Sequence, residues 1–118
     1  MAKFYRSEDR TVVLELFGAG SSIENLKELK ANTTDAAVEK HVPVYTVEGD
    51  LVHVEVGEVE HPMFAEHWIE WISLKTDQGI QRKYLKPGEK PAVDFKLCDN
   101  ETVEEAYAYC NLHGLWKA

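Results

Sequence analysis

Beyond residue 40 this sequence is cut by turn signals into runs of about four to eight residues, short for helices and rich in β-branched side chains. Gly49-Asp50 separates Val44–Glu48 from Leu51–Val56, the arrangement of a β-hairpin. In the second run Val52, Val54 and Val56 alternate with Leu51, His53 and Glu55, so a period of two places the valines on one face. Trp68–Lys75 reads as a third strand. Asp77-Gln78-Gly79 then turns the chain into Ile80–Lys86, and Pro87-Gly88 turns it again. Val93, Phe95 and Leu97 alternate on a fifth run. Ala106–Cys110 reads as a sixth, although propensity alone also admits a helix over Val103–Tyr109. Short strands separated by turns about every 8–12 residues predict an all-β chain folded as a β-sandwich.

The first forty residues carry mixed signals. Thr11–Phe17 reads as a strand that Gly18-Ala19-Gly20 breaks. Ser21 and Glu24 have the spacing of a capping box, with Ile23, Leu26 and Leu29 on one helical face; the same residues also suit an irregular strand. Asn32-Thr33-Thr34-Asp35 reads as a turn, with Asp35 placed to cap one helical turn through Ala36, Ala37 and Val38. Met1–Arg10 is polar and charged, with no apolar segment of a secretory signal, and no run of about 18 apolar residues occurs. These features predict a cytoplasmic protein with no membrane partner. In that reducing compartment Cys98 and Cys110 are thiols or metal ligands rather than a disulfide framework.

The formal charge of −8 excludes non-specific nucleic-acid binding, which needs basic patches. The acid is uneven: Glu48 to Glu70 holds seven carboxylates and neither lysine nor arginine. Such a face is commonly a solvated surface. Its sharper reading is repulsion of wrong anionic partners and complementarity to a basic one.

The histidines carry the chemical signal. His41 precedes Val42-Pro43, His61 opens His-Pro-Met, His67 begins the Trp-rich strand and His113 lies three residues after Cys110. His53 differs, sitting mid-strand on the polar face. Imidazole and thiolate suit iron, zinc and copper. Cys110 and His113 can reach one metal from a single loop, where Gly114 permits a tight backbone. No spacing is that of a zinc finger, and no Cys-x-x-Cys pair occurs. Spacing alone leaves a shared metal site in competition with unrelated loop histidines and a Cys110 that is simply a small buried hydrophobe.

Five segments together narrow that choice: Glu39-Lys40-His41-Val42-Pro43, His61-Pro62-Met63 with His67 following, Ile69-Glu70-Trp71, Leu85-Lys86-Pro87-Gly88 and Tyr109-Cys110-Asn111-Leu112-His113-Gly114. In these the chain resembles the superoxide reductases, which include neelaredoxin and the catalytic domain of desulfoferrodoxin, from about Asn32 to Lys117. The resemblance implies an immunoglobulin-like β-sandwich over residues 37–118. It implies one mononuclear iron per chain, with His41, His61, His67 and His113 equatorial, Cys110 axial and the sixth position left for superoxide. His53 matches no ligand position. Longer relatives carry an N-terminal desulforedoxin-like module whose four cysteines hold a second iron. Residues 1–36 contain no cysteine, so they resemble a remnant of that module without its metal and with no second iron center. Their remaining role is read as structural, packing in a dimer, in preference to docking a partner; the protein as a whole is read as a homo-oligomer, a dimer or tetramer.

The chemistry implied by the resemblance is one-electron, inner-sphere reduction of superoxide to hydrogen peroxide through a ferric (hydro)peroxo species. Ferrous iron, neutral imidazoles and one thiolate leave a center of +1 inside a chain of −8. Lys40 is then the local attractor for the anion and positions the water that supplies protons, and Glu39 closes the ferric sixth position afterwards. Backbone N–H groups at Leu112 and His113 are placed to hydrogen-bond the Cys110 sulfur and temper its donation. Trp68, Trp71 and Trp116 are expected to build the core around the site, and Cys98 is read as structural. Each turnover needs an external reductant, a small rubredoxin-like protein. Rival readings are a zinc site without redox turnover, a dismutase, and an interaction module whose histidines are incidental.

Overall fold

The alternating valines of Leu51–Val56 fix how this chain packs. In the computed structural model, which describes residues 2–8, 13–16 and 26–118, Val52, Val54 and Val56 are fully buried. They share one core with Phe95 of their own sheet and with Ile69, Ile72, Leu74, Ala106, Ala108 and Cys110 of the facing sheet. Burying each valine contributes roughly 1.5–3 kcal/mol before chain entropy is subtracted.

The chain divides into two compact units, Met1–Lys30 and Ala31–Ala118. In the first, β1 (Lys3–Arg6), β2 (Val13–Leu16) and β3 (Lys27–Leu29) form an antiparallel sheet in the order β2-β1-β3. β2 lies inside the strand expected at Thr11–Phe17. β1 is not evident from the sequence, where two aromatic residues between charged ones are too few for a pattern. Leu29 belongs to a strand, so of the two readings open for Leu26 and Leu29 the irregular strand holds and the helix does not: cross-strand pairing of Leu29 with Phe4 outweighs the helical spacing. Gly18-Ala19-Gly20, Ser21, Ile23 and Glu24 lie outside the described residues.

The second unit opens with α1 (Val38–His41). Its N-cap is Ala37, and no side chain caps it, so Asp35 does not play the capping role expected of it. The turn is closed instead by Val42 N–H to the Val38 carbonyl, 3.0 Å, and by His41 Nδ1 to the Ala37 carbonyl, 2.7 Å. There follow β4 (Pro43–Glu48), β5 (Leu51–Val56), β6 (Ile69–Thr76), β7 (Gly79–Tyr84), β8 (Ala92–Lys96), β9 (Val103–Cys110) and β10 (Gly114–Lys117). One sheet has the order β4-β5-β8 and the other β10-β9-β6-β7, every pair antiparallel. First, second and fifth strands on one sheet, with third, fourth, sixth and seventh on the other, give the immunoglobulin-like sandwich that was expected.

The helical alternative over Val103–Tyr109 does not occur. β9 lies between β10 and β6, and Ala106, Ala108 and Cys110 reach the core at a period of two. Trp71 departs from expectation. It stacks on Tyr109, 5.4 Å between centroids, beneath the Arg82 guanidinium at 3.6 Å. It therefore occupies the face of β6 opposite to Ile72 and Leu74 and takes no part in the core around the histidines. Among the described residues no helix is long and apolar enough to cross a membrane.

Strand register decides which loops meet. Pro43 pairs with Val56, so α1 and the segment after β5 leave their sheet at the same end. Ile69 and Gly114 both pair with Cys110, so the segment before β6 and the β9–β10 turn leave theirs together. Between them, Gly57 sits at φ +87°, and a Cβ there would lie 2.8 Å from Lys40 Cα and collide with the Val59 carbonyl. Gly57 and Val59 also donate to the Val42 and Glu39 carbonyls, at 3.2 and 3.0 Å. Gly57→Ala is therefore expected to destabilise the protein by about 1–3 kcal/mol, read as a lower denaturant midpoint with unchanged slope.

Candidate metal centre

Three loops deliver five side chains to one place. α1 ends in His41, the β5–β6 connection carries His61 and His67, and the end of β9 and the turn after it carry Cys110 and His113. One donor atom each from His41, His61, His67 and Cys110 lie within 4.8 Å of one another. His113 stands at the edge of that set, with Nδ1 3.1 Å from His41 Nε2 and 3.9 Å from Cys110 Sγ. Successive ring centroids, His41 to His61 to His67 to His113 and back, are 4.6, 4.7, 5.1 and 4.9 Å apart, while His41 and His67 are 6.4 Å apart across the figure. The four imidazoles thus outline a near-square, with neighbouring rings at 75–84° to each other.

The proton arrangement explains what the square is for. His41 Nδ1 bonds the Ala37 carbonyl and His61 Nδ1 bonds the Pro62 carbonyl, both at 2.7 Å. A carbonyl only accepts, so both Nδ1 atoms carry the proton and both Nε2 atoms are bare lone pairs in the neutral rings. Those two Nε2 atoms face each other at 3.2 Å. Nothing between them is a hydrogen bond. Protonation does not relieve the contact readily: burial, reinforced by the neighbouring imidazoles, lowers the His41 and His67 pKa values and pushes His61 down to about 4. His67 Nε2 is likewise buried with no partner among the described residues. Two nitrogens bound to one metal at right angles, each about 2.1 Å away, would sit about 3.0 Å apart, close to the spacings found. The residues therefore fit a cation.

Cys110 is fully buried, and burial pushes its thiol up, with the half-buried Glu70 carboxylate adding to the effect. Opposing this, the backbone N–H groups of His113 and Leu112 lie close enough to the sulfur to pull its pKa back down. Glu39 and Lys40 are exposed on α1. Each sits near enough to be felt by a ring: Lys40 helps to lower the His67 pKa, and Glu39 acts weakly to raise that of His41. His53 lies elsewhere, on the outer face of β5, between Asp94 at 2.6 Å and Glu55 at 3.0 Å. Cys98 is exposed and remote from the cluster.

Three features were not legible in the sequence. Trp116 stacks on His41 at 4.7 Å and donates Nε1–H to the His113 carbonyl at 3.1 Å; it was anticipated only as core, and its strand β10 was missed because four residues that begin with a glycine give no period. The Ala37 carbonyl is four residues before His41, a helical relation that a firmer placement of α1 would have exposed. The Pro62 carbonyl depends on a loop path that no spacing encodes.

Residues 33–118 match the Desulfoferrodoxin family. A desulfoferrodoxin of Clostridium acetobutylicum is 48% identical over 112 residues, spanning 92% of this chain and 87% of that protein. A superoxide reductase of Pyrococcus horikoshii is 42% identical over 67% of this chain and 84% of its own length. Among solved structures, the superoxide reductase of Treponema pallidum superposes with a TM-score of 0.85 at 43% identity, covering 100% of this chain and 98% of that one.

Two outcomes follow from the protonation pattern and the sulfur contacts. In the metal-free protein His61 has a folded pKa far below its unfolded value of about 6.5, so its contribution to stability is present above that value and is lost as pH falls toward about 4. The melting temperature should drop across that interval, and His61→Gln should flatten the drop. Leu112→Pro removes one N–H donor to the sulfur, and the metal-loaded variant should show a shifted reduction potential; an unchanged potential would show that this donor does not tune the thiolate.

Proposed function

This chain belongs to the desulfoferrodoxin family, and on that premise we propose that it is a superoxide reductase whose single iron is held by His41, His61, His67, His113 and Cys110. The observation that carries the reading is the meeting of two bare imidazole nitrogens, 3.2 Å apart, beside a buried thiol. A histidine set without the thiol would serve many metals; thiolate with imidazole narrows the choice to borderline and soft ones. Iron bound there supplies the one-electron step by passing between its ferrous and ferric states.

The chain's own groups do the rest. The lowered pKa values of His41, His61 and His67 keep those three rings neutral, so they add no charge that would repel a cation. Leu112 and His113 N–H groups hold part of the sulfur's electron density, which restrains the donation that in haem enzymes favours O–O cleavage. The Lys40 ammonium supplies local positive charge against an overall −8, draws in the superoxide anion and orients the water that delivers protons. Glu39, one residue away on the same turn, is the carboxylate that closes the site after turnover. The inner-sphere course implied by the resemblance belongs to this reading. So do a rubredoxin-like electron donor, a cytoplasmic location, a homo-oligomeric state and a residue 1–36 segment descended from a metal-binding module that has lost its metal; the absence of cysteine from residues 1–36 supports that loss.

The reaction balances as one superoxide, one electron and two protons giving one hydrogen peroxide. Peroxide yield therefore separates the reductase from a dismutase. With a reductant in excess, a superoxide pulse should produce one peroxide per superoxide, consume one electron from the reductant and release no oxygen. One peroxide per two superoxides, with oxygen evolved, would make the protein a dismutase and overturn the proposal.

A further inference from the structure

The histidines of the square are not held alike. His41 and His61 each have a ring nitrogen fixed by a carbonyl at 2.7 Å, and His113 has its backbone carbonyl tied to Trp116 Nε1 at 3.1 Å. The His67 ring has no such anchor among the described residues, and its Nε2 is buried without a partner. Its position must come from its backbone. Phe64 and His67 exchange two backbone hydrogen bonds, at 2.9 and 3.0 Å, which fixes one edge of that turn.

Asn111 fixes the other edge. Its Oδ1 accepts from Trp68 N–H at 2.9 Å, its Nδ2 donates to the Glu66 carbonyl at 3.0 Å, and its own N–H donates to the Trp68 carbonyl at 3.2 Å. The two side-chain bonds grip the residues immediately before and after His67. Asn111 itself directly follows Cys110, whose strand pairs with Ile69. A carboxamide is suited to this position because it offers one acceptor and one donor on a short stem. Aspartate keeps the acceptor and loses the donor, and alanine loses both.

We infer that Asn111 is a positioning residue that locks the unanchored His67 ring onto the same centre as Cys110. This inference rests on the metal reading of the cluster. Removing the carboxamide leaves the His67 turn free to shift by the fraction of an ångström that a metal bond does not tolerate. Partners of this kind commonly set metal affinity about 10–100-fold.

The test is a cobalt(II) titration followed by visible absorption, on the full chain, with Asn111→Ala, His67→Ala and the double variant. The inference predicts that Asn111→Ala weakens cobalt binding about 10–100-fold and alters the d–d bands toward those of His67→Ala. It also predicts that Asn111→Ala costs little further affinity once His67 is gone, because coupled residues are not additive. Asn111→Asp, nearly isosteric, gives the same comparison should the alanine variant not fold. Wild-type affinity in the alanine or aspartate variant would overturn the inference. So would an equal loss with and without His67, which would mark Asn111 as a general loop staple. Failure of the wild-type chain to bind cobalt would overturn the metal reading itself, a separate result.

Discussion

Two unprotonated nitrogens face each other at 3.2 Å at one end of this sandwich, and neither has a hydrogen to offer the other. Their tautomers are set from behind by the Ala37 and Pro62 carbonyls, and burial denies them the proton that would otherwise relieve the contact. An arrangement this unfavourable without a cation is sensible as a site made to receive one. The near-square of rings, the buried thiol and the stacking of Trp116 on His41 all serve to keep it in place.

The fold supplies that restraint through strand register rather than through any one loop. Pairing of Pro43 with Val56, and of Cys110 with both Ile69 and Gly114, brings the ends of five strands to the site. The core beneath is apolar, and Cys110 is part of it. The thiol is therefore held by packing on the core side, while Lys40 and Glu39 lie exposed on α1. A low-dielectric interior strengthens the charge of a buried thiolate, while the ammonium proposed to attract the anion lies in solvent.

Much of this was readable from the residues. The alternation at Val52, Val54 and Val56 and the separation of His53 from the other histidines rest on a period of two, the Gly49-Asp50 turn rests on its residue types, and the structure keeps all three. His53 proves to be a surface partner of Asp94 and Glu55. What escaped the sequence depends on contacts between distant segments. β10 is too short to show a period and exists because it pairs with β9. The choice between helix and strand at Leu29 is made by its pairing with β1, and Trp71 faces away from the site because of its place in β6. Asn111 looked like one residue of a metal loop, yet its partners are more than forty positions earlier in the chain. Spacing reveals candidate ligands; the groups that orient them are chosen by tertiary structure.

The proposed chemistry needs one centre in which imidazole nitrogens and the Cys110 sulfur share a single metal. X-ray absorption on the iron-loaded protein measures that shell directly. Four nitrogen neighbours at imidazole distance together with one sulfur neighbour would be the predicted result. A first shell of nitrogen and oxygen alone, with no sulfur, would contradict it and leave the cluster of histidines without the chemistry assigned to it.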